Sequence, residues 1–153
     1  MPTQTLIFVN IFFAGLLAGE EFVIRFGVRA PLASLPDAEH IRLRQALIRT
    51  LRILVPTIFA LAFFTGIAAT AVGGIHMDRA FELRCAGLMA LLAFIALTLA
   101  GTVPINQAAL TWNPAAPPPD WRKKIATWER LDTIRTMLAA AAFGLLLGAG
   151  LLL

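Results

Sequence analysis

Read from the N-terminus, the chain alternates long apolar runs with short polar ones. Charge-free blocks run from Ile53 to Ile75, from Cys85 to Leu110 and from Met137 to Leu153, and a shorter apolar stretch covers Leu6 to Gly19. About 20 residues at a rise of 1.5 Å cross a hydrocarbon core of about 30 Å, so the blocks are membrane-helix sized or nearly so. The first stretch reaches that length only by continuing through Glu20 to about Gly27, and the last only by starting before Met137. The expected fold is all-α: one integral membrane domain over 1–153, a bundle of four transmembrane helices with spans near 6–27, 53–75, 85–106 and 130–153. "MPTQT" carries no basic residue and the apolar segment behind it is long, so the first helix is expected to be a retained span and not a cleaved signal.

The connections differ in character. In "RAPLASLPDAEHIRLRQALIRT", Ser34 to Asp37 fits a capping box, and Leu43, Leu47, Ile48 and Leu51 recur at helical spacing with Arg42, Arg44, Arg49 and Arg52 on other sides. This predicts a short amphipathic helix on the cytoplasmic membrane face between the first two spans, its basic side toward solvent and anionic lipid; a lid over a pocket is the functional alternative. "GGIHMDRAFE" is a tight turn in which His76 and Asp78 lack a third ligand, so no metal site is expected. "TWNPAAPPPDWRKK" is too rich in proline to continue a helix and reads as a stiff linker, with Trp112, Trp121 and Trp128 near helix ends, where aromatic belts form.

Composition agrees with the pattern. The chain is 59% hydrophobic and 14% charged, against about a quarter charged in soluble domains, which excludes an ordinary water-soluble monomer. Eleven of the thirteen Lys and Arg residues lie in or beside the first and third connections, and only Arg79 and Arg84 flank the second. By the positive-inside rule the two long loops are cytoplasmic and both termini extracytoplasmic, in the inner membrane of a bacterium. The net charge of +4 then reports topology, and nucleic acid is not an expected partner; the lipid bilayer and a hydrophobic small molecule are. Cys85 alone forms no internal disulfide. Gly15 with Gly19 and Gly144 with Gly148 allow close helix approach, in the first instance within the bundle, and leave a homo-oligomer open.

Candidate chemistry lies in "GLLAGEEFVIR", where Glu20, Glu21 and Arg25 interrupt the first span. Each charge near a bilayer centre costs roughly 2.5 to 3.5 kcal/mol on insertion scales, so these groups need partners. Counting from the helix end near Gly27 puts the two glutamates roughly 10 Å deep, and Arg135 of the fourth helix about as deep, with Asp132 one turn shallower. The third helix delivers Pro104 and Asn106 to the same level. Glu21 and Arg25 share a face, which leaves Glu20 over for Arg135; Asp132 and Arg135 form a second local pair on the face of Trp128 and Ala139. Pro104 lacks an amide hydrogen and frees the carbonyl of Ala100, so a broken helix end beside Asn106 reads as a pocket wall or as a plain helix end at the interface.

"TVPINQAAL" followed by a loop and "WERLDTIRT", with the earlier "GLLAGEEF" and "PLASLP", resembles the anthrone oxygenase-like family of small four-helix membrane proteins. The resemblance touches all but the second helix and the second turn. It makes Pro104, Asn106, Trp128 and Arg135 signature positions; Leu131 and Asp132 stand where the family more often carries Asn or His. It implies oxygenation of an activated aromatic, anthrone-like or quinol-like, with dioxygen as co-substrate and no bound metal or flavin. The residues suit that chemistry: Glu20 or Glu21 as base, Arg135 with Arg25 stabilising the anion, Asn106 donating a hydrogen bond, Trp128 and Pro104 as walls beside Asp132. The rival reading is a non-catalytic carrier or accessory subunit that binds a lipid, a quinone or a partner helix. A haem carrier is disfavoured, because His40 and His76 fall in loops on opposite faces.

Overall fold

Each apolar run folds into a helix, and each helix is longer than its apolar block. A computed structural model describes residues 2–73 and 78–152. The first helix is α-helical over Pro2–Val23, takes a π-helical turn at Ile24–Val28 and ends in the α-turn Arg29–Ala33. The second runs unbroken over Asp37–Val72. The third is α-helical over Arg79–Leu97, π-helical over Thr98–Thr102 and α-helical again over Val103–Leu110, and the fourth covers Trp121–Leu151. All four are long and apolar enough to cross a membrane, as an integral membrane protein requires. His76, and with it the His76 and Asp78 pair, lies outside the described residues.

Three local expectations are corrected. The amphipathic stretch after the first span is no separate surface helix: it is the opening half of the second helix, because nothing between Asp37 and Pro56 interrupts the ladder. The capping box does not form; Ser34 Oγ donates to the carbonyl of Pro31 at 2.7 Å, and Pro36 stands at the N-cap without a side-chain bond. The tryptophans make no belt. Trp112, Trp121 and Trp128 are all buried, and Trp112 and Trp121 meet edge to face with centroids 6.3 Å apart. Asp78 does cap the third helix, accepting from the Phe81 amide at 2.8 Å.

The first helix packs on the second and the fourth, and the fourth on the third; the second and third meet far less. The main core joins Leu17, Ile58, Ala62, Leu91, Phe94, Ala142 and Leu146 across the bundle. A second cluster, Ile41, Ile48, Ala109, Trp112, Trp121 and Ile125, closes the end where the first and third connections lie. There Gln45 Nε2 donates to the carbonyls of Ala109 and Trp112, both at 2.9 Å, and so ties the second helix to the end of the third. Outward-facing Phe8, Phe12, Phe26, Ile53, Phe64 and Leu99 give the bundle the apolar exterior that lipid solvates.

The small residues divide by what they touch. A Cβ on Gly87 would lie 2.8 Å from Leu146 Cγ, and one on Gly15 3.1 Å from the Phe143 ring. Gly19 and Gly144 have nothing within 4 Å, so the two Gly-x-x-x-Gly pairs do not act as units of packing. Gly87→Ala should therefore lower bundle stability by about 1–3 kcal/mol through overpacking, whereas Gly144→Ala should be neutral or gain up to about 1 kcal/mol of helix propensity. Thermal unfolding in detergent of both variants checks the contrast; equal shifts would refute the packing assignment.

Candidate active site

The polar groups of the spans converge. A cavity of about 320 Å³ lies within the bundle; all four helices line it, most of all the second and third, which pack little on each other. It is as large as sites for small organic ligands. Glu20, Glu21, Asn106, Trp128, Asp132 and Arg135 stand on its wall, together with Arg29, Arg44, Phe59, Phe94 and Thr102.

Two π turns shape this wall. Ile24 and Val28 of the first turn and Thr98 and Thr102 of the second line the cavity. Each turn precedes a proline, Pro31 or Pro104. A proline ring clashes with the carbonyl four residues earlier, and those carbonyls, of Gly27 and Ala100, fall inside the two π turns. The wider turn absorbs the proline and lets the helix continue: the Val103 amide bonds back to the carbonyl of Thr98, and the helix runs on to Leu110. The expected broken end beside Asn106 is thus absent. Pro104 is exposed and is not part of the lining.

The ion pairing also departs from expectation. Arg135 Nη2 donates to Glu21 Oε1, not to Glu20, and the two side chains are 8% and 2% exposed. Arg135 Nη1 reaches Thr102 Oγ1 at 3.5 Å, and its guanidinium lies over the Phe94 ring, 4.8 Å from the centroid. Arg25 is absent from the lining; it donates to Thr133 Oγ1 instead of pairing with Glu21. The cause is local: Arg25 lies in a π turn, whose wider spacing takes it off the face that an α-helix would share with Glu21. Asp132, 1% exposed, forms no ion pair with Arg135 among the described residues. Arg29 binds Glu129 at 2.8 Å and ties the first helix to the fourth at the cavity edge.

What remains unpaired is informative. Glu20 Oε2, Glu21 Oε2, Asn106 Oδ1, Trp128 Nε1, Asp132 Oδ2 and Arg135 Nε are buried without hydrogen-bond partners. Buried polar groups are normally satisfied, since each unmade bond costs on the order of 1–3 kcal/mol. So many orphans on one wall describe a site that completes itself with a ligand or with water. Carboxylate oxygens, a donor-rich guanidinium and an indole N–H can move a proton and hold an anion. Among the described residues no three His, Cys, Asp or Glu side chains group closely enough to hold a metal ion. Outside the spans, the hydrogen bond from Lys124 holds the Asp120 carboxyl below the usual carboxylate range.

Four helices long and apolar enough to span a membrane, around an acid- and arginine-lined cavity, define a small integral membrane protein. A model of the anthrone oxygenase family matches residues 45–145, and the chain belongs to that family. Comparisons with curated proteins and with solved structures gave no match. The matched segment contains Asn106, Trp128, Asp132 and Arg135, whereas Glu20 and Glu21 precede it.

Breaking the buried pair separates structure from chemistry. Glu21→Gln leaves Arg135 charged and unpartnered and should cost roughly 3–5 kcal/mol of stability. The double variant Glu21→Gln with Arg135→Met removes both charges and should be more stable than Glu21→Gln alone. Unfolding of the purified variants in detergent measures this coupling, and additive losses would contradict it.

Proposed function

We propose that the protein is an oxygenase of an activated aromatic substrate and that Glu20 is its base. The family supports the reaction class, and the Glu20 carboxyl, whose Oε2 has no hydrogen-bond partner, beside a buried guanidinium on the cavity wall carries the assignment of roles. Glu21 is committed to Arg135 through Oε1, whereas among the described residues no ion pair holds Glu20.

An anthrone-like substrate has a methylene flanked by aromatic rings in conjugation with a carbonyl. Glu20 removes one methylene proton, and the electron pair passes to the carbonyl oxygen, where Arg135 stabilises the developing anion in a water-poor site. The electron-rich carbon is oxidised by dioxygen, a C–O bond forms, and the protonated product is a hydroperoxide. Loss of the second hydrogen from that carbon breaks the O–O bond and gives the quinone carbonyl and one water. Substrate and dioxygen are thereby converted to quinone and water, with no other reductant. Trp128 and Phe94 flank the ring system, and Asn106 faces its polar edge. The sparse packing between the second and third helices offers a hydrophobic substrate a way in from the bilayer. The bias of basic residues puts both termini outside and the first and third connections in the cytoplasm, so the cavity lies toward the inner leaflet.

Oxygen-electrode assays with anthrone and the purified protein test the reading. Wild type should consume one dioxygen per quinone formed, and Glu20→Gln should slow this by roughly 10²-fold or more, the usual contribution of a general base. Absence of oxygen uptake by the wild type, or an unaffected Glu20→Gln, would sink the proposal.

A further inference from the structure

Arg44 does not behave as a surface arginine. Helical spacing of the leucines places it among the solvated basic residues of the second helix, yet it is 5% exposed and lines the cavity. Its guanidinium lies over the Trp128 ring, 4.7 Å from the centroid, and Nε donates to His40 Nε2 at 3.4 Å. Among the described residues no carboxylate comes within ion-pair distance of it. Glu129 and Asp132 are the nearest acids to feel its charge, and Glu129 is bound to Arg29. A buried arginine is ordinarily paired, because an isolated charge is costly to desolvate. Among the described residues Arg44 has no such carboxylate partner, and it lines the cavity.

We infer that the cavity takes an amphipathic anion, an aromatic ring system bearing a carboxylate or a similarly charged oxygen, and that Arg44 receives the acidic group while the rings lie between Trp128, Phe59 and Phe94. The planar guanidinium, already stacked on an indole, presents its outer N–H pair to two oxygens at once, the geometry that suits carboxylate. Exposed Arg52 on the same helix also lines the cavity and adds positive potential along it. The three acids of the site sit on the first and fourth helices, so an anion at Arg44 turns its other end toward Glu20 and Asp132. The inference deepens the oxygenase reading by giving its substrate a charged substituent and a fixed direction. It commits to a free small molecule; an anionic lipid head group offers similar chemistry and is tested against it.

The test measures binding without turnover, so its outcome is independent of the oxygenase reading. An anthracene monocarboxylate and its primary amide are titrated calorimetrically into the intact protein in neutral detergent. The carboxylate should bind about tenfold tighter or more, as a charge-assisted pair allows. Arg44→Met, which keeps apolar contact with Trp128, should abolish that preference, and Arg49→Gln, on the exposed side of the same helix, should retain it. Phosphatidylglycerol should not displace the carboxylate. Equal wild-type affinities, a preference that survives Arg44→Met, or displacement by phosphatidylglycerol would overturn the inference. If Arg44→Met fails to fold, wild-type protein treated with phenylglyoxal decides: protection of Arg44 by the carboxylate but not by the amide supports it, and equal labelling refutes it.

Discussion

The buried bond between Glu21 and Arg135 is the constraint from which the rest of the bundle follows. Neither ion can be left alone between lipid-facing helices, so the first and fourth helices must turn these faces to each other at one level. That choice fixes the rotation of both helices. With Glu21 inward, Ala14 and Leu17 point into the main core; with Arg135 inward, Trp128, Asp132, Ala139, Ala142 and Leu146 follow on the same stripe. The pair is also costly. Replacing such a pair with well-packed apolar residues is often neutral or stabilising, so stability alone does not explain why the bundle contains it.

Packing and chemistry meet in the two π turns. A bundle of regular helices with an apolar core tends to fill its interior, since interiors pack to crystal-like density. Here each proline that follows a π turn displaces the backbone of its helix, and residues of the widened turn become cavity wall. The second helix adds Pro56, itself on the lining, which leaves the carbonyl of Arg52 without its helical partner. Prolines on three helices therefore accompany the opening. The tryptophan cluster and the double hydrogen bond of Gln45 brace the end of the bundle beside it, so the cavity is held open by rigid neighbours.

Much of this was legible in the sequence, for identifiable reasons. Four apolar runs of spanning length define the helices, and charges inside them define a polar layer, because bilayer thickness and desolvation act on composition directly. Glu20, Glu21, Asn106, Trp128, Asp132 and Arg135 could be placed together by counting residues from helix ends. The choice of partner could not. A count made at a constant α-helical pitch pairs Glu21 with Arg25, and one π turn voids it. Pro31 and Pro104 were the visible signals, since a proline within an otherwise helical run demands a bulge, a kink or an end, and sequence does not say which. Arg44 was misplaced for a different reason. The buried stripe is Ile41, Arg44, Gln45 and Ile48, and a search for apolar residues that follows Leu43, Leu47, Ile48 and Leu51 shares only Ile48 with it and leaves Arg44 on another side.

The same stripe explains how the charges of the cavity are divided. The acids belong to the first and fourth helices, where Arg29 and Arg135 accompany them, and the unpaired Arg44 belongs to the second, so its charge comes to the cavity from a different helix than the acids. Charges brought into direct contact neutralise one another locally, as Arg29 and Glu129 do across the first and fourth helices at the edge. Arg44 and the acids make no ion pair among the described residues, and all of them stand on the cavity wall. A field of that kind acts on whatever enters: it orients a polarisable ring system and draws electron density toward the arginine end. The family match covers Asn106, Asp132 and Arg135 but begins after the two glutamates and one residue after Arg44, so both Glu20 and Glu21 and the arginine that faces them belong to the part of this chain outside the match, held to it by the bond between Glu21 and Arg135.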